Sequence, residues 1–434
     1  METLNAESKE IIITNPSFEK SWWNDFYEET AGLTKPKVIK NVISQEDLEF
    51  FKQCVLRVIK DVSDRKVPNG FRLSIEGAIK DDNRDFFFNN PPTENEDILK
   101  WCSRVFGDKK FGVILNSIQN YDRSLKADIF RKFRPLLEEY GVPGNGIEIT
   151  LFFGNYGYTP LGFHLDPKGH KVTHLHVGPG KKKMFLMTQE KYEDELKLKT
   201  GSKDFEKLVP LSEEYEFNET DCFFMPVGYY HVGHTEELSI GLTVWHIEPP
   251  VSELQMAISI DLMKKIFSKE DSKTLITKDK NEIDDISHMK QLLADSIDID
   301  ADYSKMRLDE AVDQLLIEHR YKIRSNGYFF GFLQNTEHVY EPPLITMGTM
   351  IKGCDPFSIK MIERGEKTTL FVQSKKVSVP NHPAIPGIVE KLNGYQSYSI
   401  ENLFAPVLDD WDADIVLYIT QELYRFGGVE VIKT

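Results

Sequence analysis

Apolar residues recur at helical spacing in 44–62, SQEDLEFFKQCVLRVIKDV, where Leu48, Phe51, Cys54, Val55 and Val58 share one face. Ser44, followed by Glu46 and Asp47, supplies a cap and acidic groups for the first turn. Ahead of it stand an aromatic helix-like piece, 17–30 (SFEKSWWNDFYEET), and a strand candidate, 36–43 (PKVIKNVI). Residues 65–100 are polar, with Pro and Asn interspersed, and read as loop-rich decoration. The texture changes at 111–119, FGVILNSIQ, which is strand-like, and a helix follows over 124–141, closed by Gly141 with Pro143 beyond.

From Gly146 to Pro250 the pattern shortens into alternating or apolar runs such as IEITLFFGNY, VTHLHVG, KKKMFLMT, CFFMPVGYYHV and LSIGLTVWHI, punctuated by Gly, Pro and Asn. This is the signature of an all-β barrel or sandwich. Residues 188–215 interrupt it with a Lys/Glu-rich insertion that includes a helix. Helical periodicity returns over 251–326, around an acidic stretch near 279–302. The last hundred residues mix strands (GTMIKG, TTLFVQSKKVSV) with two helices, 383–394 and 414–428, an order that suits a small winged-helix-like module. The expected organisation is a mixed N-terminal extension over 1–110, a β-rich domain over 111–250, a helical connector over 251–335 that mediates dimerisation, and the C-terminal module over 336–434. The class is therefore α+β.

Composition narrows the function classes. With 434 residues and 28 Phe, the chain builds sizeable cores, and its formal charge of -16 repels phosphate backbones. No nucleic-acid partner is expected, and a basic peptide or protein is easier to accommodate. Cys54, Cys102, Cys222 and Cys354 lack metal-type spacing and read as free thiols of a reducing compartment. With no signal-like start and no membrane-length apolar run, the expectation is a cytoplasmic protein without membrane contact. Asp409, Asp410 and Asp412 do not have the spacing of a calcium loop and suit a helix N-terminus.

Seven of the eleven histidines, His164, His170, His174, His176, His231, His234 and His246, fall within the β-rich segment. In extended backbone, residues two apart share a face, so His164 and Asp166 of "HLD" converge while Phe163 and Leu165 turn the other way. His231, in the Pro226-Val-Gly228-Tyr-Tyr-His turn, is the candidate third ligand. Two imidazoles and one carboxylate with open positions form the ligand set of non-haem Fe(II) oxygenases. His174 and His176 also share a face and either line a pocket, add a metal ligand, or are ordinary barrel histidines. His234 reads as solvated or hydrogen-bonded, and His170 and His246 as structural.

The ordered pieces HLD (164–166), GKK (180–182), DCFFMPVGYYH (221–231) and SIGLTVW (239–245) resemble the JmjC subgroup of cupin-fold, 2-oxoglutarate-dependent Fe(II) dioxygenases. The segment 22–44, WWNDFYEETAGLTKPKVIKNVIS, resembles the start of that family, and the helical and winged-helix-like continuation is similar to the C-terminal half of bacterial members that hydroxylate proteins. The resemblance implies a double-stranded β-helix (cupin/jelly-roll) core. His164, Asp166 and His231 are then the Fe(II) ligands, and O2 is the oxidant. Lys182 pairs with the distal carboxylate of the cosubstrate 2-oxoglutarate, with Lys181 and Lys183 competing for that role because the register of GPGKKKMF is open. Thr159 is a second cosubstrate contact and Ser239 a weaker one. The implied reaction is hydroxylation of an amino-acid side chain in a peptide or protein. A free amino acid or small molecule is the alternative substrate, and a cupin isomerase, a cupin dioxygenase without cosubstrate or a non-catalytic cupin binding protein the rival class.

Overall fold

The computed structural model describes residues 8–66, 70–79, 82–266, 306–330 and 343–432. The chain divides into two compact units, Met1–Glu248 with Ile323–Thr434, and Pro249–Lys322. The first begins with β1 (Glu10–Ile11), α1 (Lys20–Glu29), β2 (Lys37–Ile39) and α2 (Gln45–Arg65). The Ser44 side chain accepts from the Asp47 N–H, and α2 buries Leu48, Phe51, Cys54, Val55 and Val58, as the periodicity predicts. Trp22, Trp23 and Phe26 of α1 are buried, with Trp23 against Phe133, so the aromatic pair serves packing.

Residues 65–100 are more ordered than their polar composition suggests. They contain β3 (Phe71–Ile75), β4 (Ala78–Ile79), α3 (Asp82–Phe88) and α4 (Ile98–Phe106). Phe71 and Leu73 alternate inward along β3, and the Asp97 side chain caps α4 by accepting from the Lys100 N–H. Two strong local signals thus outweigh the Pro and Asn residues around them.

Then come β5 (Phe111–Leu115), α5 (Arg123–Tyr140), β6 (Ile147–Gly154), β7 (Gly157–Tyr158), β8 (His170–Pro179), β9 (Lys182–Thr188), α6 (Phe205–Leu208), β10 (Glu213–Phe217), β11 (Cys222–Met225), β12 (Tyr229–Thr235) and β13 (Ser239–Ile247). One sheet has the order β1-β2-β11-β8-β13-β6-β5-β3-β4 and the other β10-β9-β12-β7. From β6 onward successive strands mostly alternate between these sheets, and all their pairings are antiparallel. The inward faces of both sheets enclose one cavity. The Lys/Glu-rich insertion holds a π-helical turn, Glu190–Glu195, and α6, and its Tyr192 and Leu208 pack with Phe163, Phe185 and Val232.

The last part of this unit contains β14 (Met350–Gly353), β15 (Lys360–Arg364), β16 (Lys367–Val372) and β17 (Lys375–Pro380), and its remaining strands are β18 (Tyr398–Ser399) and β19 (Val429–Val431). These strands form two three-stranded sheets, β18-β14-β19 and β15-β16-β17, around a core of their own. That core is joined to α5 by Lys126, whose Nζ donates to Gln373 Oε1 at 2.8 Å. In the unit Pro249–Lys322, the helix Val251–Ile266 and the portion of the helix Leu308–Ser325 up to Lys322 share a small core of Ile258, Leu262, Ala311 and Leu315. The acidic stretch near 279–302 lies outside the described residues. No described helix is long and apolar enough to cross a membrane. The structure is a mixed α+β protein with several sheets.

Candidate metal centre

His164 precedes β8 in an irregular segment, yet it pairs with β12. Its N–H donates to the His231 carbonyl at 3.2 Å, and the His231 N–H donates to the His164 carbonyl at 3.0 Å. The two rings lie 4.4 Å apart between centroids. Gly162, at φ 72°, permits the turn that leads in, since a Cβ there would lie 2.4 Å from the Ser202 carbonyl oxygen. The Gly162 carbonyl accepts from His164 Nδ1 at 2.9 Å, and the Tyr229 carbonyl accepts from His231 Nδ1 at 3.1 Å. A carbonyl only accepts, so both Nδ1 atoms carry hydrogen, and in the neutral rings both Nε2 atoms present lone pairs.

Those lone pairs meet Asp166. His164 Nε2 is 3.8 Å from Asp166 Oδ1, and His231 Nε2 is 3.6 Å from Asp166 Oδ2. These separations are too long for hydrogen bonds, and Asp166 Oδ2 is buried without a partner. One ligand atom from each of the three residues lies within 4.8 Å of the others. Burial, reinforced by the neighbouring His231, pushes the His164 imidazole down to about 4, which keeps it neutral and able to bind a metal. Two oriented nitrogen lone pairs and an orphaned carboxylate oxygen are the donor set that a divalent transition metal takes up on one face.

The three residues open on a cavity of about 470 Å³. Lys182 lines it and is 5% exposed. Its neighbours point outward: Lys181 pairs with Glu216 at 3.0 Å and Lys183 with Glu214 at 2.6 Å. The register left open by the sequence thus turns Lys182 alone of the three inward. Its Nζ sits 5.3 Å from the centre of the Phe152 ring, no described carboxylate pairs with it, and burial pulls its pKa down to about 7. A buried amine with no counter-charge is a receptor for an anion.

Thr159 also lines the cavity, and its Oγ1 accepts from the Gly233 N–H at 3.4 Å. Ser239 does not reach it: the residue is buried at the start of β13 opposite Gly154 and Pro179, at the far end of the strand from Trp245. His174 lines the cavity and His176 lies behind it, and their ring nitrogens are taken up in hydrogen bonds to Thr243, to each other and to Gly180. His234 lies outside the cavity lining and pairs with Glu236 at 2.9 Å. His246 bonds Thr173, while His170 stands at the cavity with its ring against Trp245.

The sequence reading missed Arg72, Asn116, Glu148, Thr150, Thr243 and Trp245, all of which line the cavity. A signal was present for some of them: in IEITLFFG the polar Glu148 and Thr150 alternate with buried Ile147, Ile149 and Leu151. Polar groups on the inward face of a barrel strand mark a wet interior.

No family model and no curated protein matches the chain. Among solved structures, it is similar to the X-ray structure of Escherichia coli YcfD, with a TM-score of 0.47 and 14% identity over 94% of this chain and 98% of that one. A structure of YcfD, described as a ribosomal oxygenase, in complex with cobalt and succinic acid aligns at TM-score 0.47 and 14% identity, over 95% and 98% of the two chains. The same protein with cobalt and 2-oxoglutarate gives the same values, 0.47, 14%, 95% and 98%.

Proposed function

We propose that this chain is an Fe(II)- and 2-oxoglutarate-dependent oxygenase of JmjC type that hydroxylates an amino-acid side chain in a peptide or protein. The observation that carries the reading is the convergence of His164 Nε2, His231 Nε2 and Asp166 Oδ2, which is buried without a partner among the described residues, in a cavity that also holds Lys182, to which no described carboxylate is paired. The near-alternation of β6 to β13 between two sheets, with antiparallel pairing among these strands, supports a double-stranded β-helix, and the sequence pieces resembling the JmjC pattern fall on the residues that meet in the cavity.

In this reading His164, Asp166 and His231 hold the ferrous ion, and the Lys182 ammonium holds the distal carboxylate of 2-oxoglutarate, with Thr159 beside it. When bound, iron, 2-oxoglutarate and O2 supply the oxidising chemistry that replaces a substrate C–H by C–OH, with release of succinate and CO2. The chain's part is geometric. The Gly162 and Tyr229 carbonyls fix the imidazoles through Nδ1, Phe163 and Val232 anchor the ligand-bearing segments in an apolar core, and Phe223, Met225 and Met184 give the cavity an apolar part of its wall. His174 and His176 are spent on internal hydrogen bonds, which disfavours a three- or four-histidine cupin site.

A protein substrate suits the formal charge of -16 and the appended modules. The C-terminal core around β14 to β19 is read as winged-helix-like. The connector 251–335, described only in part, is read as a dimerisation region. Exposed Val251, Met256, Ile260 and Met263 on its first helix support that assignment. A cytoplasmic setting fits four buried free cysteines.

The test is succinate release from 2-oxoglutarate with Fe(II) in air, comparing the wild type with Asp166→Ala. Release by the wild type alone supports the reading, and equal background release by both proteins removes it. A mass gain of one oxygen on an incubated peptide, absent with free amino acids, separates the protein substrate from the small-molecule alternative.

A further inference from the structure

The cavity does not end at β6, because the large sheet continues it across β5 and β3. Arg72 of β3 pairs with Ile114 of β5, and Ile114 with Phe152 of β6, so the three stand in one row across the sheet. All three line the cavity, whereas Phe71 and Leu73, on either side of Arg72, turn to the opposite face and are buried in the core. The row is an apolar shelf with a cation at each end. The Lys182 Nζ sits over the Phe152 ring at the buried end, and Arg72 is exposed at the outer one.

Two donors on this shelf are unclaimed. Among the described residues no carboxylate pairs with Arg72. Beyond burial and nearer neighbours, its charge is felt at the His164 imidazole, which sets the guanidinium on the metal side of the cavity. The second donor is Asn116, just past β5, whose side chain is oriented by a chain of hydrogen bonds that starts at an indole. Trp245 Nε1 can only donate, so Thr150 Oγ1 accepts from it at 3.0 Å. The Thr150 proton is then given to Asn116 Oδ1 at 3.4 Å. Asn116 Nδ2, with two hydrogens, is left without an acceptor among the described residues, on a side chain that lines the cavity. The carboxylates of the cavity lining are Asp166 at the metal site and Glu148 opposite Trp245, whose Oε1 accepts from the Ser117 N–H at 3.1 Å.

We propose that Arg72 and Asn116 form a carboxylate-recognising subsite, which selects substrates that carry an acidic group beside the residue to be hydroxylated. This rests on the proposed function, in which the distal carboxylate of 2-oxoglutarate matches Lys182. The Arg72 charge is then left for a second anion, and the substrate is what remains to supply it. A guanidinium fork and a carboxamide NH2 both donate, and a carboxylate accepts from both through its two oxygens. The formal charge of -16 repels a polyanion, so the selected partner is a peptide with one carboxylate at a fixed place rather than an acidic tract. That carboxylate belongs to an acidic side chain or to a chain terminus.

The test uses the full-length protein with Zn(II) in place of iron and 2-oxoglutarate in excess, so that Lys182 is occupied. Proton–nitrogen NMR follows the Arg72 Nε–H and the Asn116 NH2 during titration with three probes. Acetyl-aspartate N-methylamide carries a side-chain carboxylate, acetyl-alanine a terminal one, and acetyl-asparagine N-methylamide neither. Saturable shifts of both groups are expected with at least one carboxylate probe and not with the neutral one, and the probe that binds identifies the source of the anion. Arg72→Gln, a change at an exposed position, is expected to weaken that binding at least about tenfold. Equal shifts with the neutral probe, a response at Arg72 without Asn116, no response to either carboxylate, or binding unchanged in Arg72→Gln each overturns the inference. Failure of the wild type to bind 2-oxoglutarate removes the proposed function, whereas the Arg72 and Asn116 signals report on the subsite without any turnover.

Discussion

His164 and His231 hold each other by their backbones, exchanging two hydrogen bonds at 3.2 and 3.0 Å although 67 positions separate them in the sequence. That exchange, with the carbonyls on each Nδ1, makes the metal site a property of the backbone as much as of the side chains.

Metal affinity should accordingly depend most on the one side chain that no hydrogen bond satisfies. Asp166→Ala is expected to weaken Mn(II) or Co(II) binding by at least about 100-fold, whereas the fold persists because Asp166 Oδ2 has no hydrogen-bond partner among the described residues. Titration calorimetry under anaerobic conditions, with circular dichroism for the fold, measures both. Binding unchanged in Asp166→Ala would place the ion elsewhere.

Lys182 should make anion binding pH-dependent. Burial lowers its pKa to about 7, so above that pH the empty cavity holds a neutral amine, and capture of a carboxylate must first restore the proton. The dissociation constant of 2-oxoglutarate is expected to rise towards tenfold per pH unit above about 7 in the wild type. It should be nearly flat up to pH 9 in Lys182→Arg, whose guanidinium does not titrate there. Intrinsic tryptophan fluorescence of the Mn(II)-loaded protein is a suitable signal, since Trp245 lines the same cavity.

Much of this site was legible because its chemistry is local in sequence: His164 and Asp166 sit two apart, and the turn before His231 has its own signature. The β-rich segment was equally plain, since alternation in β6 and β13 survives translation into buried and inward-facing residues. The register of the lysine run was not, because a shift of one position exchanges its faces and only pairing with Glu214 and Glu216 on β10 fixes it. Ser239 failed for the same reason: its distance from the cavity follows from where β13 begins relative to β6 and β8. Arg72 lies on β3 and Asn116 just past the end of β5, and their meeting with the ligands rests on the long-range pairing of β3 with β5 and of β5 with β6.

Gly241 should prove intolerant of any side chain. A Cβ there would lie 1.9 Å from His174 Cε1 and 2.3 Å from Nε2, so the ring must leave its bond to Thr243. Gly241→Ala is expected to cost about 3 kcal/mol, combining overpacking with a buried hydroxyl that loses its acceptor. Urea unfolding of the metal-free protein gives the stability change, and 2-oxoglutarate affinity should fall with it. A stable variant with unaltered affinity would mean that the His174 ring has another place to go.

His246 should make the fold sensitive to mild acid. It is fully buried, 3.1 Å from the Thr173 hydroxyl, and burial, with a smaller contribution from Lys171, pushes it down from 6.5 to about 3. Its pKa is lower folded than unfolded, so between those values the unfolded chain binds the extra proton and the native one does not. The stability it contributes is complete above about pH 6.5 and drains away as the pH falls towards 3, at about 1.4 kcal/mol per unit in that window. His176, pushed down to about 4, acts with the same sign, so the wild type should lose more than one proton's worth of stability between pH 6.5 and 5. His246→Phe, which places an apolar ring beside Phe133, is expected to reduce that slope by about 1.4 kcal/mol per unit while leaving the His176 contribution in place. Urea midpoints of the metal-free protein at pH 7.5, 6.5, 5.5 and 5 measure both slopes, and parallel curves for the two proteins would show that His246 titrates alike in the folded and unfolded chain.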